Sequence, residues 1–291
     1  MSTEAVDPRF AELDAWPLEG AMAAMWEGQL AAVAAVRPAL PAITKATAAA
    51  AAALGTTGRL IYVGAGTSGR VAVQDGTELP PTFNWARDRL VFGIAGGERA
   101  LVASVEGAED DAVAGRALID QAEVGPADVV IGVAASGTTP YTVAAMACAT
   151  GRGAVSIGIA NNPGAPLLAA AVHPILVETG GELIAGSTRM KAGTAQKVVL
   201  NLISSGIMLQ LGRVYRGMMV DMRTANVKLQ RRAEEMVARI AAVSQDSARA
   251  ALAESQGEIK LAALLALGHG RTEAEARLAR ADGNLRTALA P

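Results

Sequence analysis

Five short apolar runs, RLIYV at 59–63, RLVFGIA at 89–95, DVVIGVA at 128–134, AVSIGIA at 154–160 and PILV at 174–177, alternate with stretches of helix-like spacing such as DDAVAGRALIDQAE and TPYTVAAMACATG. Runs that are apolar throughout, rather than at every second position, read as strands buried on both faces, and strands separated by helices pair in parallel. The predicted fold is therefore α/β: a doubly wound five-stranded parallel sheet with flanking helices. Ligands of such sheets lie beyond the carboxyl ends of the strands, so the turns that follow the strands carry the functional reading.

Outside the sheet the pattern is helical. Residues from about 18 to 54 are Ala-rich and helix-prone, a long helix is expected from about 187 to 212, and SQDSARAALAES, EIKLAALLALG and TEAEARLARADG predict a small C-terminal bundle of three short helices. The expected division is an N-terminal helical region packing on the core (1–54), a sheet domain (55–235) and a small helical subdomain (236–291). Aromatic residues make up only 3% of the chain, so the core is filled by small aliphatic side chains that let helices pack closely on a sheet.

Charge and sulfur content exclude several function classes. The formal net charge is −2 with no basic stripe, which leaves no phosphate-neutralising surface for nucleic acid. No apolar run reaches the roughly 18 residues of a membrane span, and the start MSTEAVDPRF lacks a signal pattern, so a cytoplasmic protein is expected. Cys148 is the sole cysteine and, with His173, is expected in the core; His269 is expected in a loop. One cysteine and two histidines do not build an ordinary imidazole or thiolate site, so any metal would need carboxylates; no metal and no cofactor are expected.

The first strand runs into GAGTSGR, Gly64 to Arg70, which fits G-x-G-x-x-G but lacks the acidic residue about 20 positions on that a dinucleotide site needs. What it does offer is Gly66, Thr67 and Ser68 at a helix start, where hydroxyls and free backbone N–H groups suit a phosphate monoester; a plain turn is the alternative. A second hydroxyl loop, AASGTTPY, places Ser136, Thr138 and Thr139 after the third strand. A third segment, AGSTRMKAGTAQK, opens the long helix with Ser187, Thr188, Arg189, Lys191 and Thr194. Ordinary N-capping would account for its hydroxyls, but cations at a helix start oppose the dipole and fit better with an anionic partner.

Two carboxylates stand out. Glu78, in TELPPTF, has Leu79, Pro80 and Pro81 beside it, an apolar surround of the kind that keeps a general acid protonated. Glu109, in VEGAEDD, lies among Glu106, Asp110 and Asp111, where the choice is between a solvated acidic face and a base.

GAGTSGR, the Glu-x-Pro-Pro-Thr segment, VEGAED, AASGTTPY, GSTRMKAGTAQK and YRGMMVDMRTANVKL stand in the order found in N-acetylmuramic acid 6-phosphate etherases, which the chain resembles from about 55 to 230. It departs from that family's pattern at Leu79, where many members have cysteine, and before about residue 45. The resemblance implies a sugar isomerase-type (SIS) domain, a homodimer, and cleavage of the D-lactyl ether of N-acetylmuramic acid 6-phosphate to N-acetylglucosamine 6-phosphate and D-lactate in peptidoglycan recycling. It places the catalytic acid on Glu78 and the second catalytic glutamate on Glu109, not Glu106. The loops, with Ser187 and Lys191, would hold the phosphosugar. Elimination would remove the C2 proton and release lactate from C3 before water adds, with the acid and base roles of Glu78 and Glu109 open to exchange. A sugar-phosphate isomerase, which also starts with C2 proton abstraction, and a non-catalytic phosphosugar sensor are the alternatives.

Overall fold

The computed structural model describes residues 2–224 and 226–290, so Met1, Pro291 and Ala225, the last within YRGMMVDMRTANVKL, lie outside them. The chain divides into two compact units: Met1–Thr77 with Asp88–Gly206, and Glu78–Arg87 with Ile207–Pro291.

The first unit carries the sheet. Its strands are β1 (Leu60–Gly64), β2 (Leu90–Ile94), β3 (Val129–Ala134), β4 (Val155–Ala160) and β5 (His173–Leu176), all parallel, in the order β2-β1-β3-β4-β5. Each falls within a residue or so of its apolar run. Helices α1 (Leu18–Ala34), α2 (Leu40–Leu54) and α3 (Gly66–Thr77) belong to this unit, α4 (Leu79–Phe83) to the second, and α5 (Ala112–Gln121), α6 (Pro140–Gly151) and α7 (Pro166–Ala170) again to the first. The long α8 spans Lys191–Gln210.

Alternate residues of β1 face opposite layers. Ile61 and Val63 join Ile119, Tyr141, Met146 and Leu167 in the core beneath α5, α6 and α7. Tyr62 points the other way and donates its hydroxyl to Asp75 of α3 at 3.0 Å. Asp75 also accepts from Asn201 (2.5 Å) and Ser204 (3.2 Å) of α8, so one buried carboxylate ties two helices to the sheet. Burial pushes the Asp75 carboxyl above its ordinary value, against the opposing pull of those hydrogen bonds. At the amino ends of β1 and β3, Asp128 receives Nε and Nη2 of Arg59 at 3.1 and 2.7 Å and the backbone N–H groups of Arg59 and Gly125, both at 3.0 Å.

Of the two side chains expected in the core, His173 opens an edge strand and is only half-buried, whereas Cys148, half-buried on α6, packs against the cluster of Ile61, Val63 and Met146 with its Sγ 3.7 Å from Asp120.

The second unit is helical: α9 (Val227–Ala241), α10 (Gln245–Glu254), α11 (Ile259–Ala266), α12 (Arg271–Arg280) and α13 (Leu285–Ala288). Helices α10 to α12 fall on the three predicted segments, and His269 lies in the α11–α12 connection, half-buried, with Nδ1 3.2 Å from Glu273. The additional α9 is capped by Asn226, whose side chain accepts from Leu229 N–H at 2.9 Å, and it places Ala233, Met236 and Val237 in the core with Leu252, Ile259 and Leu264. The unit is larger than the 236–291 read from sequence. It starts at Ile207 and takes in residues 78–87, because Leu79 and Trp85 are buried and Arg213 lies over the Trp85 ring while donating to the Phe83 carbonyl at 2.8 Å.

Candidate active site

A cavity of about 340 Å³ lies at the carboxyl ends of β1 and β3, the central neighbours of the sheet. That volume is in the range of small-molecule sites, about 300–1,000 Å³. Gly66, Thr67 and Ser68 form one wall and Ser136, Thr138 and Thr139 another. Glu109 and Asp110 close a third side, and Thr188 and Glu4 also line the cavity.

The first wall is shaped by close backbone approach. A Cβ on Gly69 would lie 2.9 Å from both the carbonyl carbon and oxygen of Gly64 and 2.9 Å from Ile94 Cγ1, so α3 starts tight against the end of β1. Its first N–H groups are thereby aimed at the space beyond the strand, where an anion is stabilised by the helix start. Gly69→Ala is expected to force that first turn outward at about 1–3 kcal/mol, and calorimetric titration should show about tenfold weaker binding of inorganic phosphate. An unchanged affinity would detach the loop from phosphate binding.

In the second wall, Gly137 adopts φ +68, and a Cβ there would lie 2.4 Å from Ala165 Cβ. The turn aims Thr138, whose backbone N–H and hydroxyl donate to Ser136 Oγ at 3.2 and 3.0 Å. Thr139 precedes Pro140, the first residue of α6, with no hydrogen bond from its side chain to the helix, which leaves its hydroxyl available to a ligand.

Glu109 stands on the short 3-10 turn Ala108–Asp110. Gly107 enters that turn at φ +70, and Asp111 leaves it by capping α5 through Ala114 N–H at 2.8 Å. Arg70, last residue of the glycine loop, donates to the carbonyls of Ala100 (2.9 Å) and Ala103 (3.3 Å), holding the loop that leads from β2 towards Glu109. Glu109 is exposed to the cavity; Glu106 is exposed but does not line it.

Other expected site residues lie differently. Glu78 is in the second unit, directly before α4, and is exposed. The apolar surround expected from its neighbours does not form, because Leu79 turns into the core while Pro81 stays in solvent. Ser187 and Lys191 do not line the cavity. Helix α8 starts at Lys191 rather than near 187, and Lys191 Nζ donates to the Gly181 carbonyl at 2.8 Å. The anion at this helix start is the chain's own: fully buried Glu182 accepts the N–H groups of Lys191 and Ala192, both at 2.9 Å. A carboxylate nine residues upstream of a helix start gives no local capping signal, which is why sequence reading passes over it. Among the described residues, no group of three or more His, Cys, Asp or Glu side chains is arranged to hold a metal ion.

The doubly wound parallel sheet, with two hydroxyl loops and a carboxylate around a cavity at its switch region, has the SIS-type fold. Residues 42–150 match the glucokinase regulatory protein N-terminal SIS domain family. Among solved structures, a phosphoheptose isomerase from Francisella tularensis superposes with a TM-score of 0.51 at 16% identity, covering 67% of this chain and all of that one. The chain is 51% identical to the N-acetylmuramic acid 6-phosphate etherase of Deinococcus radiodurans over 99% of its own length and 94% of that protein's. It is 45% identical to the Streptomyces coelicolor protein of the same name, over 100% of this chain and 94% of that one. The chain belongs to the N-acetylmuramic acid 6-phosphate etherase family.

Proposed function

We propose that this protein cleaves the D-lactyl ether of N-acetylmuramic acid 6-phosphate, a carbon–oxygen lyase reaction that ends in water addition and yields N-acetylglucosamine 6-phosphate and D-lactate. The observation that carries the reading is one cavity holding both hydroxyl loops and Glu109, in a chain 51% identical to an etherase over almost its whole length. The 6-phosphate fits against Gly66 to Ser68 and Ser136 to Thr139, where N–H and O–H donors and the start of α3 replace its water. Binding this remote group holds C2 and C3 in the cavity that Glu109 lines.

With the ring open, the C1 aldehyde makes the C2 hydrogen acidic. Glu109 takes that proton and the C3–O bond breaks as the departing lactate oxygen is protonated, the role that the family resemblance gives to Glu78. Water then adds across the unsaturated aldehyde, its oxygen to C3 and a proton to C2. The net change is one water consumed, with no electron transferred, so no redox cofactor is required.

A homodimer is supported by α1, where Leu18, Met22, Trp26, Leu30 and Val33 form an exposed apolar stripe. Trp26→Glu is expected to halve the particle mass seen by light scattering; an unchanged mass would remove the stripe from the interface. A cytoplasmic place in peptidoglycan recycling fits a phosphorylated substrate and the finding that no described helix is long and apolar enough to cross a membrane.

The test is wild-type protein with N-acetylmuramic acid 6-phosphate in deuterated water. D-lactate release with deuterium at C2 of the sugar is expected. A folded protein that releases no lactate would sink the reading in favour of an isomerase or a sensor.

A further inference from the structure

Glu4 lines the cavity although it stands near the start of the chain, far in sequence from Glu109 and the hydroxyl loops. What brings it there is Thr3, which is fully buried: its Oγ1 accepts from Asn162 Nδ2 at 3.0 Å, and its carbonyl accepts Gly186 N–H at 3.1 Å. Asn162 follows β4 and is itself buried, donating also to the Ala135 carbonyl at 2.9 Å, next to the second hydroxyl wall. Gly186, at φ +74, leads into Ser187 and Thr188, and a Cβ there would lie 2.9 Å from Glu4 Oε2. The segment Ser2–Glu4 is thus fastened to two loops of the cavity, leaving the Glu4 carboxylate at its edge.

We infer that Thr3 and Glu4 belong to the sugar site, Thr3 as a positioning residue and Glu4 as a specificity-determining acceptor for the uncharged, donor-bearing part of the sugar. The inference rests on the function proposed above. An ionised carboxylate has only acceptor sites, and beside a phosphate it would repel. With the phosphate against the hydroxyls and N–H groups, as proposed above, repulsion leaves Glu4 to meet an uncharged, donor-bearing part of the ligand. Away from the lactyl carboxylate, which it would also repel, the available partners are ring hydroxyls and the amide N–H. A charge-assisted bond of this kind discriminates strongly against a ligand lacking the donor, because the carboxylate is then left unpaired.

The experiment measures binding of N-acetylglucosamine 6-phosphate, glucose 6-phosphate and inorganic phosphate by calorimetry, alongside lactate release. Proteins compared are wild type, Glu4→Ala, Thr3→Val and Thr3→Ser. Glu4→Ala is expected to weaken at least one sugar phosphate by about 10- to 100-fold while phosphate binds as well as before or better, with the kinetic loss on KM rather than kcat. Thr3→Val should reproduce the loss and Thr3→Ser restore most of it, since only the hydroxyl is needed to take the Asn162 bond. Unchanged sugar-phosphate affinity in Glu4→Ala, or a parallel loss of phosphate binding, overturns the inference. A wild type that binds sugar phosphates but releases no lactate overturns the etherase reading alone; one that binds none overturns both.

Discussion

Glu78→Gln protein is expected to release D-lactate about 10²- to 10⁴-fold more slowly than wild type, while still exchanging the C2 hydrogen of the substrate with deuterated water. The amide cannot give a proton to the departing oxygen, but it leaves Glu109 and the hydroxyl loops untouched. Glu109→Gln should lose both reactions by a similar factor, because no group remains to start the elimination. The two variants therefore separate the acid from the base by isotope at C2 rather than by rate. If Glu78→Gln loses exchange and Glu109→Gln keeps it, the roles are reversed; if either keeps full lactate release, that glutamate has no part in the chemistry. Both side chains are exposed, so neither substitution removes core packing and both proteins are expected to fold.

Asp128→Ala is expected to destabilise the protein by about 3–5 kcal/mol, towards the lower end because the Arg59 side chain keeps 27% of its surface in water. The carboxylate is buried and accepts from the Arg59 guanidinium and from two backbone N–H groups, and without it these donors lose their partner at the point where β1 and β3 enter the sheet. Burial alone would raise its pKa, but the Arg59 and Gly125 hydrogen bonds outweigh that and hold it below the ordinary carboxylate value. A lowered folded pKa means the contribution is fully present above the unfolded value of 3.8 and is lost as pH falls through the folded one. Thermal unfolding should therefore show the largest gap between wild type and Asp128→Ala near neutrality, closing below about pH 4. A gap that stays constant with pH would mean the loss is one of packing and not of charge.

Much of this protein is determined by local sequence. The strands were legible because a strand buried on both faces is apolar along its length, and runs such as RLIYV and DVVIGVA, rich in β-branched residues, bounded by turn residues and too short for helices, fit that use. The hydroxyl loops were legible because turn residues after such strands have one place to be, at the ligand end of the sheet. Helix α9 was also within reach: Leu229, Ala233, Met236, Val237 and Ile240 recur at helical spacing behind Asn226, a good N-cap. Reading the 213–235 stretch as a continuation of the sheet domain hid that signal.

Tertiary structure alone decided the rest. The sheet order sets β1 beside β3 and so brings Ser68 and Ser136 to one cavity, although their loops are far apart in the chain. It brought Glu182 to the start of α8 in place of an external anion for Lys191, moved residues 78–87 into the helical unit through Leu79 and Trp85, and carried Thr3 to Asn162 across 159 residues. Periodicity and capping act over one or two turns, so they fix which segments become strands, helices and loops. The partners of a buried carboxylate, amide or hydroxyl are fixed by which segments meet once the apolar faces are covered, and that choice has no local signature.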